Sequence, residues 1–343
     1  MTPTHPRPKI FVGVLPSSYD RMIGLEARAL LAAFAEVDRN LQPRLLGDDE
    51  LSERLRDVDA VIVGWPGQSN GLSRRNIEAA TRLQIVGQLG QSVRAIDTQA
   101  VFERDITLVN GPGAFATGVA EYTVAMMLGA RHNMLRHDRS MRVGTESWGV
   151  KDGGALGREL SGKTVGLVGL GWIGCRVAEL LRPFNVTLLV HDPYLDSERA
   201  RSLGAQVVTL PELLHRSDVV SVHAGLTHET RRMIGGEQLA LMKADGLLVN
   251  TARGGVVDYQ ALTHHLQTTP SFSAALDVFE SEPLPAKSPL RSLENVVLSP
   301  HRSGHTEEAY KQIGIEIAED FRRYFAGEAP RNALTAGQVA RMS

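Results

Sequence analysis

TVGLVGLGWIG, residues 164–174, joins a run of apolar residues to three spaced glycines. The apolar run predicts a buried strand over residues 164–168, and a helix can begin at Trp172. A strand, a glycine turn and a helix in this order are typical of a dinucleotide-binding βαβ unit. We therefore expect the first turn of the helix, with Trp172 and Ile173, to face the phosphates of a dinucleotide.

Each glycine of this pattern is expected to serve a different purpose. Gly169 permits the tight turn after the strand, Gly171 lets a pyrophosphate approach the backbone, and Gly174 lets the helix pack closely on the strand. Because the chain contains 33 glycines, the spacing alone is weak evidence. Its place between a predicted strand and a predicted helix makes it indicative of a cofactor site.

An acid at the end of the next predicted strand supports this interpretation. Asp192 lies 18 residues after Gly174, close to the spacing expected for the acid that binds the ribose hydroxyls. Because a carboxylate repels a 2′-phosphate and no Arg or Lys follows in residues 193–195, we expect NAD rather than NADP. The alternative is that Asp192 caps a helix or a turn.

Strand and helix patterns alternate on both sides of this stretch. The strands predicted before it are Ile10–Leu15, Ala60–Gly64, Leu83–Leu89 and Ile106–Asn110. Those predicted from residue 164 onwards are Thr164–Val168, Val186–His191, Gln206–Val208, Asp218–His223, Gly246–Asn250, Phe272–Asp277 and Val296–Ser299. Strands separated by helices normally form a parallel sheet with right-handed crossovers. One long helix is predicted over Gly118–Asp138, another over Glu307–Phe325, and the tail after Pro330 looks unstructured.

At 343 residues, the chain exceeds the size at which a single core usually keeps growing. We expect an α/β protein of two Rossmann-like domains with parallel sheets, one flavodoxin-like and one NAD-binding, with an active-site cleft between them. The predicted substrate domain is discontinuous and comprises residues 1–111 and 309–343. The predicted NAD-binding domain covers residues 112–308.

The composition is that of an ordinary globular protein, with 43% hydrophobic and 22% charged residues. A net charge of -2 gives no general attraction to nucleic acid or to a membrane surface. Residues 1–8 contain no apolar signal segment, so we expect a cytoplasmic protein. The single cysteine, Cys175, cannot form an internal disulfide, and we expect it to lie in the core.

Three segments downstream of the glycines carry a family resemblance. They are LVNTARGG at residues 248–255, LDVFESEP at 276–283 and SPH at 299–301. Together they resemble the signatures of the D-isomer-specific 2-hydroxyacid dehydrogenases, which include the phosphoglycerate dehydrogenases. The resemblance implies that Arg253 binds the substrate, that His301 is the acid/base, and that Glu282 is the partner of that histidine.

The chemistry of a 2-keto acid suits these residue types. A planar, permanently charged guanidinium such as Arg253 can bind the carboxylate and polarise the adjacent carbonyl. His301 can donate a proton to the carbonyl oxygen as hydride arrives, and its neutral ring can accept the proton in the oxidative direction. A carboxylate such as Glu282 favours the imidazolium and fixes its orientation.

The resemblance also implies further cofactor contacts. Thr227, Thr251 and Ala252 are expected to line the cofactor together with Arg253 and His301, and Asp277 to lie near the nicotinamide carboxamide.

The plainer alternative is that Arg253, Glu282 and His301 are separate turn and loop residues. The remaining histidines show no metal-ligand spacing with acids or the cysteine, so we expect no metal.

Two loops of the first domain bear on the choice of substrate. The predicted substrate-binding residues there are Trp65, Pro66, Gly67, Leu89 and Gly90, and Arg253 and His301 complete the set. Where phosphoglycerate-handling members carry an arginine, this chain has Gln88, and an unpaired phosphate would be costly to bury. We therefore expect an uncharged or partly apolar side group. The alternative is that Trp65 only packs and that a distal charge comes from Arg94 or Arg302.

We thus predict an NAD-dependent dehydrogenase that interconverts a D-2-hydroxy acid and its 2-keto acid. The family also implies a homodimer built through the cofactor domain and the helix near Gly118–Asp138. Two alternatives use the same scaffold. One is a dehydrogenase of phosphite or a hydroxyalkyl phosphonate, and the other is an NAD-sensing, corepressor-like binding protein.

Overall fold

The computed structural model describes residues 7–65, 67–148, 156–195, 197–340 and 342. The chain divides into two compact units, of which the first comprises Met1–Phe115 and His305–Ser343. The second unit comprises Ala116–Gly304. These boundaries fall at 115/116 and 304/305, whereas the sequence placed them at 111/112 and 308/309.

A five-stranded parallel sheet forms the centre of the first unit, in the order β2-β1-β3-β4-β5. Its strands are β1 (Lys9–Val12), β2 (Glu36–Arg39), β3 (Ala60–Val63), β4 (Ile85–Gln88) and β5 (Thr107–Asn110). Its helices are α1 (Pro16–Met22), α2 (Leu25–Phe34), α3 (Asp48–Leu55), α4 (Arg74–Ala79), α5 (Thr98–Glu103), α13 (Glu307–Phe325) and α14 (Ala336–Val339). This strand order is the flavodoxin-like one, as predicted.

The late helix α13 completes the core of this unit, although it lies nearly 200 residues beyond β5 along the chain. It packs on α1, α2, β4 and β5. A methyl group at Gly87 in β4 would lie 2.6 Å from Ile317 of α13, so only glycine allows the helix to approach the sheet this closely. Ile317 and Phe321 of α13 are fully buried.

A seven-stranded parallel sheet forms the second unit, in the order β12-β11-β10-β9-β6-β7-β8. Its strands are β6 (Thr164–Val168), β7 (Thr187–His191), β8 (Ala205–Val207), β9 (Val219–Val222), β10 (Leu247–Asn250), β11 (Ser273–Leu276) and β12 (Val296–Leu298). Its helices are α6 (Ala116–Arg131), α7 (Met134–Val143), α8 (Trp172–Leu181), α9 (Ser197–Ser202), α10 (Leu210–Arg216), α11 (Gly236–Leu241) and α12 (Tyr259–Thr268). The strand order reverses between β6 and β9, which is where doubly wound sheets bind ligands.

One helix prediction and the prediction of an unstructured tail were wrong. The single helix predicted over residues 118–138 is two helices, α6 and α7, which are separated at Asn133 with a φ of 55°. Asparagine tolerates this left-handed conformation better than most residues, and it ends one helix before the next begins. The tail is not wholly unstructured, since Thr335 caps α14 by accepting a hydrogen bond from Gln338 N. Within the described residues, no helix is both long and apolar enough to cross a membrane.

Candidate active site

The three glycines of residues 169–174 differ in what surrounds them. Gly169 has a φ of +94°, which L-residues with a side chain rarely adopt, and it forms the turn after β6. A methyl group at Gly174 would lie 2.5 Å from the carbonyl oxygen of Gly169, so α8 could not pack on this turn with a larger residue. A methyl group at Gly171 would meet no atom within 4 Å. Open space therefore lies beside the backbone at Gly171, before α8 begins.

Asp192 lies beside the same turn. Its Oδ2 accepts a hydrogen bond from Leu170 N at 2.9 Å, and its Oδ1 accepts one from Tyr194 N at 3.0 Å. A carboxylate oxygen has more than one lone pair, so both oxygens keep the capacity to accept a ribose hydroxyl. The open backbone at Gly171 and this acid together fit the pyrophosphate and ribose of a dinucleotide.

Glu282 and His301 form a hydrogen-bonded pair at the carboxyl end of the same sheet. Oε2 of Glu282 lies 2.7 Å from Nδ1 of His301, and the side chains are 37% and 45% exposed. Oε1 of Glu282 accepts a hydrogen bond from Phe279 N at 2.9 Å. Burial alone would raise the pKa of Glu282, but the hydrogen bonds from His301 and Phe279 outweigh it and lower that pKa. The carboxylate is therefore ionised at neutral pH.

Asp277 holds the turn that carries His301. Its carbonyl oxygen accepts a hydrogen bond from His301 N at 2.8 Å, and its carboxylate accepts from Arg302 N at 2.8 Å and Ser303 N at 3.0 Å. His301 itself has a φ of 54°. Asp277 is fully buried, and burial would raise its pKa, but hydrogen bonds to Ser299, Arg302 and Ser303 lower it instead. A buried, ionised carboxylate thus fixes the backbone of the catalytic candidate.

Arg253 follows β10, on a loop that is pinned by Asn250. The Asn250 side chain donates to Arg253 O at 3.0 Å and accepts from Ala252 N at 3.1 Å. A methyl group at Gly254 would lie 2.0 Å from the carbonyl carbon of Phe279, so this loop packs directly on the segment that leads to Glu282. The charge of Arg253 also lowers the pKa of Glu282. Arg253, Glu282 and His301 therefore belong to one site.

The remaining predicted cofactor residues in this unit lie in tightly bonded loops. Thr251 is buried, and its hydroxyl lies 2.8 Å from that of Thr123. Thr227 N donates to Thr230 Oγ1 at 2.8 Å, which closes a turn. Trp172 is 58% exposed at the start of α8.

Sequence reasoning missed the place of His223, which it considered only as a possible metal ligand. A methyl group at Gly174 would lie 3.7 Å from His223 Cβ, so this histidine lies directly under the glycine turn. Its Nε2 lies 2.9 Å from Ser221 Oγ, and its Nδ1 has no partner among the described residues. Burial lowers the pKa of His223 to about 4, so the ring is neutral at pH 7. The position of His223 directly after β9 was the only signal in the sequence.

The predicted substrate residues of the first unit have different environments. Trp65 follows β3 and is half-buried, Gly67 has a φ of 82°, and Pro66 lies outside the described residues. Leu89 is fully buried, and its amide donates to Val63 O at 2.8 Å, so its side chain faces the core. A methyl group at Gly90 would lie 2.8 Å from Trp65 Nε1, so the indole lies over this glycine.

Gln88, at the position where phosphoglycerate-handling members carry an arginine, is 1% exposed. Neither of its amide atoms has a hydrogen-bond partner in the part of the chain that the structure describes. It therefore offers a ligand neither charge nor an accessible polar atom. Among the described residues, no group of three or more His, Cys, Asp or Glu side chains could hold a metal ion.

Comparison with known proteins gives consistent matches over this chain. A family model described as "D-isomer specific 2-hydroxyacid dehydrogenase, NAD binding domain" matches residues 124–303. D-3-phosphoglycerate dehydrogenase of Methanocaldococcus jannaschii is 39% identical over 295 residues, which are 86% of this chain and 55% of that protein. Glyoxylate reductase of Aeropyrum pernix is 35% identical over 334 residues, which are 96% of each chain. The chain thus spans about half the length of the first relative and nearly all of the second.

Among solved structures, D-mandelate dehydrogenase of Rhodotorula graminis superposes with a TM-score of 0.84. The match has 25% sequence identity and covers 96% of this chain and 98% of that one. Both units of the present fold therefore have counterparts in a single known chain.

Proposed function

Because the chain belongs to the D-isomer specific 2-hydroxyacid dehydrogenase family, we propose that it interconverts a D-2-hydroxy acid and its 2-keto acid with NAD. The observation that carries this proposal is the 2.7 Å pair of Glu282 and His301 at the carboxyl edge of a dinucleotide-binding sheet. An imidazole whose Nδ1 is bonded to an ionised carboxylate is held in one orientation, so its Nε2 can pass a proton to or from a bound substrate.

The residues of the second unit divide the work between binding and proton transfer. Arg253 binds the carboxylate of the acid and polarises its carbonyl. In the reductive direction, protonated His301 donates its Nε2 proton to the carbonyl oxygen while the hydride that the cofactor would supply adds to the carbonyl carbon, so the C=O group becomes CH–OH. In the oxidative direction, neutral His301 takes that proton back. Glu282 accepts from Nδ1 throughout, which keeps the ring oriented and stabilises its charged form.

NAD supplies or accepts the hydride when it is bound. The backbone at Gly171 and the first turn of α8 would hold its pyrophosphate, on the turn that Gly169 and Gly174 shape, and Asp192 would hold its ribose. The negative charge of Asp192 opposes a 2′-phosphate, so the proposal includes a preference for NAD over NADP. Thr227, Thr251, Ala252 and Asp277 are proposed to line the cofactor, directly or through the loops they fix.

A dimer is part of the proposal. Helix α7 exposes four large apolar side chains, with exposed fractions of 59% for Met134, 42% for Leu135, 52% for Met141 and 71% for Val143. Such a surface is costly in water and suits burial against a second copy. Sedimentation of the purified protein would test this, and a monomer at micromolar concentration would contradict it. A cytoplasmic location is also part of the proposal.

The test of the reaction is NADH oxidation, followed by absorbance, against 2-keto acids graded by side-group size and charge. We expect turnover with NADH that is faster than with NADPH, and loss of turnover in His301→Asn while NADH still binds. His215→Asn is the matched control, since His215 is an exposed residue of α10. Turnover only with phosphite or a phosphonate, or tight NADH binding without turnover of any acid, would reject the proposal.

A further inference from the structure

A cavity of about 550 Å³ opens in the second unit, and the described residues that line it all belong to that unit. We call it the Arg131 cavity. Of its lining residues, Gly246 directly precedes β10, Ser273 begins β11 and Asn295 directly precedes β12. The cavity therefore lies at the amino ends of these three strands, at the edge of the sheet opposite to the candidate active site.

The buried cation of this cavity is Arg131, the last residue of α6. It is 7% exposed, which is rare for an arginine without a charged partner. Its Nε donates to Glu159 O at 3.0 Å. Within the described part of the chain, Nη1 and Nη2 have no hydrogen-bond acceptor, yet neither atom is sealed from solvent. Because Arg131 lines the cavity, these two NH2 groups face its open space.

The charges around the cavity do not balance. The described residues of its lining include three arginines and two acids. Arg136 pairs with Glu294 at 2.8 Å and Arg158 with Asp245 at 3.7 Å, so the charge of Arg131 is left over. Burial lowers the pKa of Arg131 despite the acids nearby. An anion that enters the cavity would therefore stabilise this guanidinium.

The rest of the lining suits an uncharged organic group. Leu247 and Leu266 are buried and Leu293 is half-buried, so apolar walls lie beside the cation. A volume of about 550 Å³ is in the range of small-molecule sites and exceeds what an inorganic ion needs. A planar guanidinium binds a carboxylate through two parallel N–H···O bonds, for which Arg131 has Nη1 and Nη2 available.

We propose that the Arg131 cavity binds a small organic acid with one carboxylate and an uncharged, partly apolar body. The carboxylate accepts from Nη1 and Nη2 of Arg131, and the body lies along Leu247, Leu266 and Leu293. Such a ligand neutralises the single surplus charge, whereas a dianion would leave a net negative charge in a partly buried site. The inference does not depend on the proposed reaction, since none of these residues belongs to the candidate active site.

The test is calorimetric titration of the full-length protein with benzoate, benzamide and inorganic phosphate at low salt. We expect benzoate to bind with a Kd of about 1 mM or tighter. Benzamide has the same shape without the charge and should bind at least about tenfold more weakly. Phosphate should also bind more weakly than benzoate, because it cannot use the apolar walls. Added salt should weaken the binding of benzoate.

Three variants locate the binding. Arg131→Met removes the charge, keeps a long side chain and should weaken benzoate binding at least about tenfold. Glu294→Gln releases Arg136 from its acid at an exposed position, so benzoate should bind about threefold more tightly. Glu212→Gln is the matched control, because Glu212 pairs with Arg216 at 2.6 Å on α10 and does not line the cavity. It should leave the benzoate affinity unchanged.

Arg253→Gln separates this cavity from the candidate active site, where a carboxylate is also expected to bind. Benzoate affinity should survive this substitution. Loss of binding in Arg253→Gln but not in Arg131→Met would place benzoate in the active site and overturn the inference. Melting temperatures report whether each variant folds. If Arg131→Met does not fold, unchanged affinity in Glu294→Gln would overturn the inference instead.

Three results with the wild-type protein would also overturn it. Equal affinity for benzoate and benzamide would show that the charge of Arg131 plays no part. Tighter binding of phosphate than of benzoate would contradict the carboxylate class. Absence of benzoate binding, as expected if a second copy of the chain covers the cavity, would contradict the site itself. Failure of 2-keto acid turnover would reject the proposed function alone.

Discussion

Replacing Glu282 by glutamine removes one negative charge from the His301 imidazole while keeping the shape of the side chain. The Phe279 N–H, which now donates to Oε1 at 2.9 Å, still needs an acceptor. The amide oxygen of the new glutamine must therefore face Phe279. Its NH2 group then faces Nδ1 of His301, where a carboxylate oxygen now lies at 2.7 Å.

This orientation impairs both directions of the reaction. Nδ1 must accept from the amide, so the ring proton lies on Nε2. In oxidation, Nε2 then has no lone pair with which to take the proton from the hydroxyl group. In reduction, the imidazolium loses its anionic partner, and its Nδ1 proton faces a second donor instead of an acceptor.

The size of the loss follows from charge and exposure. Two unit charges about 4 Å apart attract by about 1 kcal/mol in water and about 4 kcal/mol near a protein surface. Because the two side chains are 37% and 45% exposed, solvent screens part of this attraction. In a serine-protease His–Asp pair, the corresponding amide substitution lowers kcat by about 10⁴ through the wrong tautomer. For this more exposed pair we expect a fall in kcat of about 10² to 10³.

The assay is steady-state turnover in both directions from pH 5 to pH 9, with NADH affinity measured separately by fluorescence. Glu280→Gln is the matched control, since Glu280 lies two residues upstream and pairs with Arg232 at 2.7 Å. We expect the control to retain wild-type kcat. If Glu282→Gln kept kcat within about fivefold of wild type at pH 7, the reasoning from tautomer and charge would be refuted.

Four further substitutions test other parts of the structure. Asp192→Asn should weaken NADH binding about tenfold and reduce the ratio of NADH affinity to NADPH affinity. Unaltered NADH affinity in a fluorescence titration would reject the assignment of Asp192 to the ribose. Gly174→Ala should lower the free energy of unfolding, measured in urea, by about 1–3 kcal/mol. Gly171→Ala should leave the free energy of unfolding unchanged but weaken cofactor binding. Burial raises the pKa of Glu316 above its value in the unfolded chain. Ionisation of this carboxyl group therefore lowers the free energy of unfolding as the pH rises from about 4.3 through the folded-state pKa. Glu316→Gln should therefore raise the melting temperature at pH 8 but not at pH 4, and an equal effect at both would contradict the account.

Much of the fold could be predicted because parallel strands buried on both faces are nearly continuous apolar runs. Strand β2 was missed because it has no such apolar run. Residues Glu36–Arg39 are mostly charged and exposed, and they lie at the edge of the sheet. The break at Asn133 was missed because one asparagine in the left-handed region leaves no mark on the hydrophobic period. Helix α14 was missed because only four residues form it.

The sequence predicted which residues form the site, but not the hydrogen bonds and contacts that hold those residues in place. Motif and chemistry singled out Arg253, Glu282 and His301. The carboxylate of Asp277 on the backbone of Arg302 and Ser303, and the contact of Gly254 with Phe279, arise only when distant segments meet. A residue pattern cannot reveal which backbone N–H a buried acid will accept.

The reactivity of Cys175 reports on the opening of the glycine turn at residues 169–174. Its thiol is buried in α8, one residue after Gly174, and Sγ donates to Leu170 O at 3.3 Å. Burial raises the pKa of this thiol, so the reactive thiolate is scarce while the loop is closed. Because it is the chain's single cysteine, the rate at which a thiol reagent labels the native protein measures how often the glycine turn opens. A ligand bound at that turn should slow the labelling, which gives a binding assay that needs neither turnover nor an engineered cysteine.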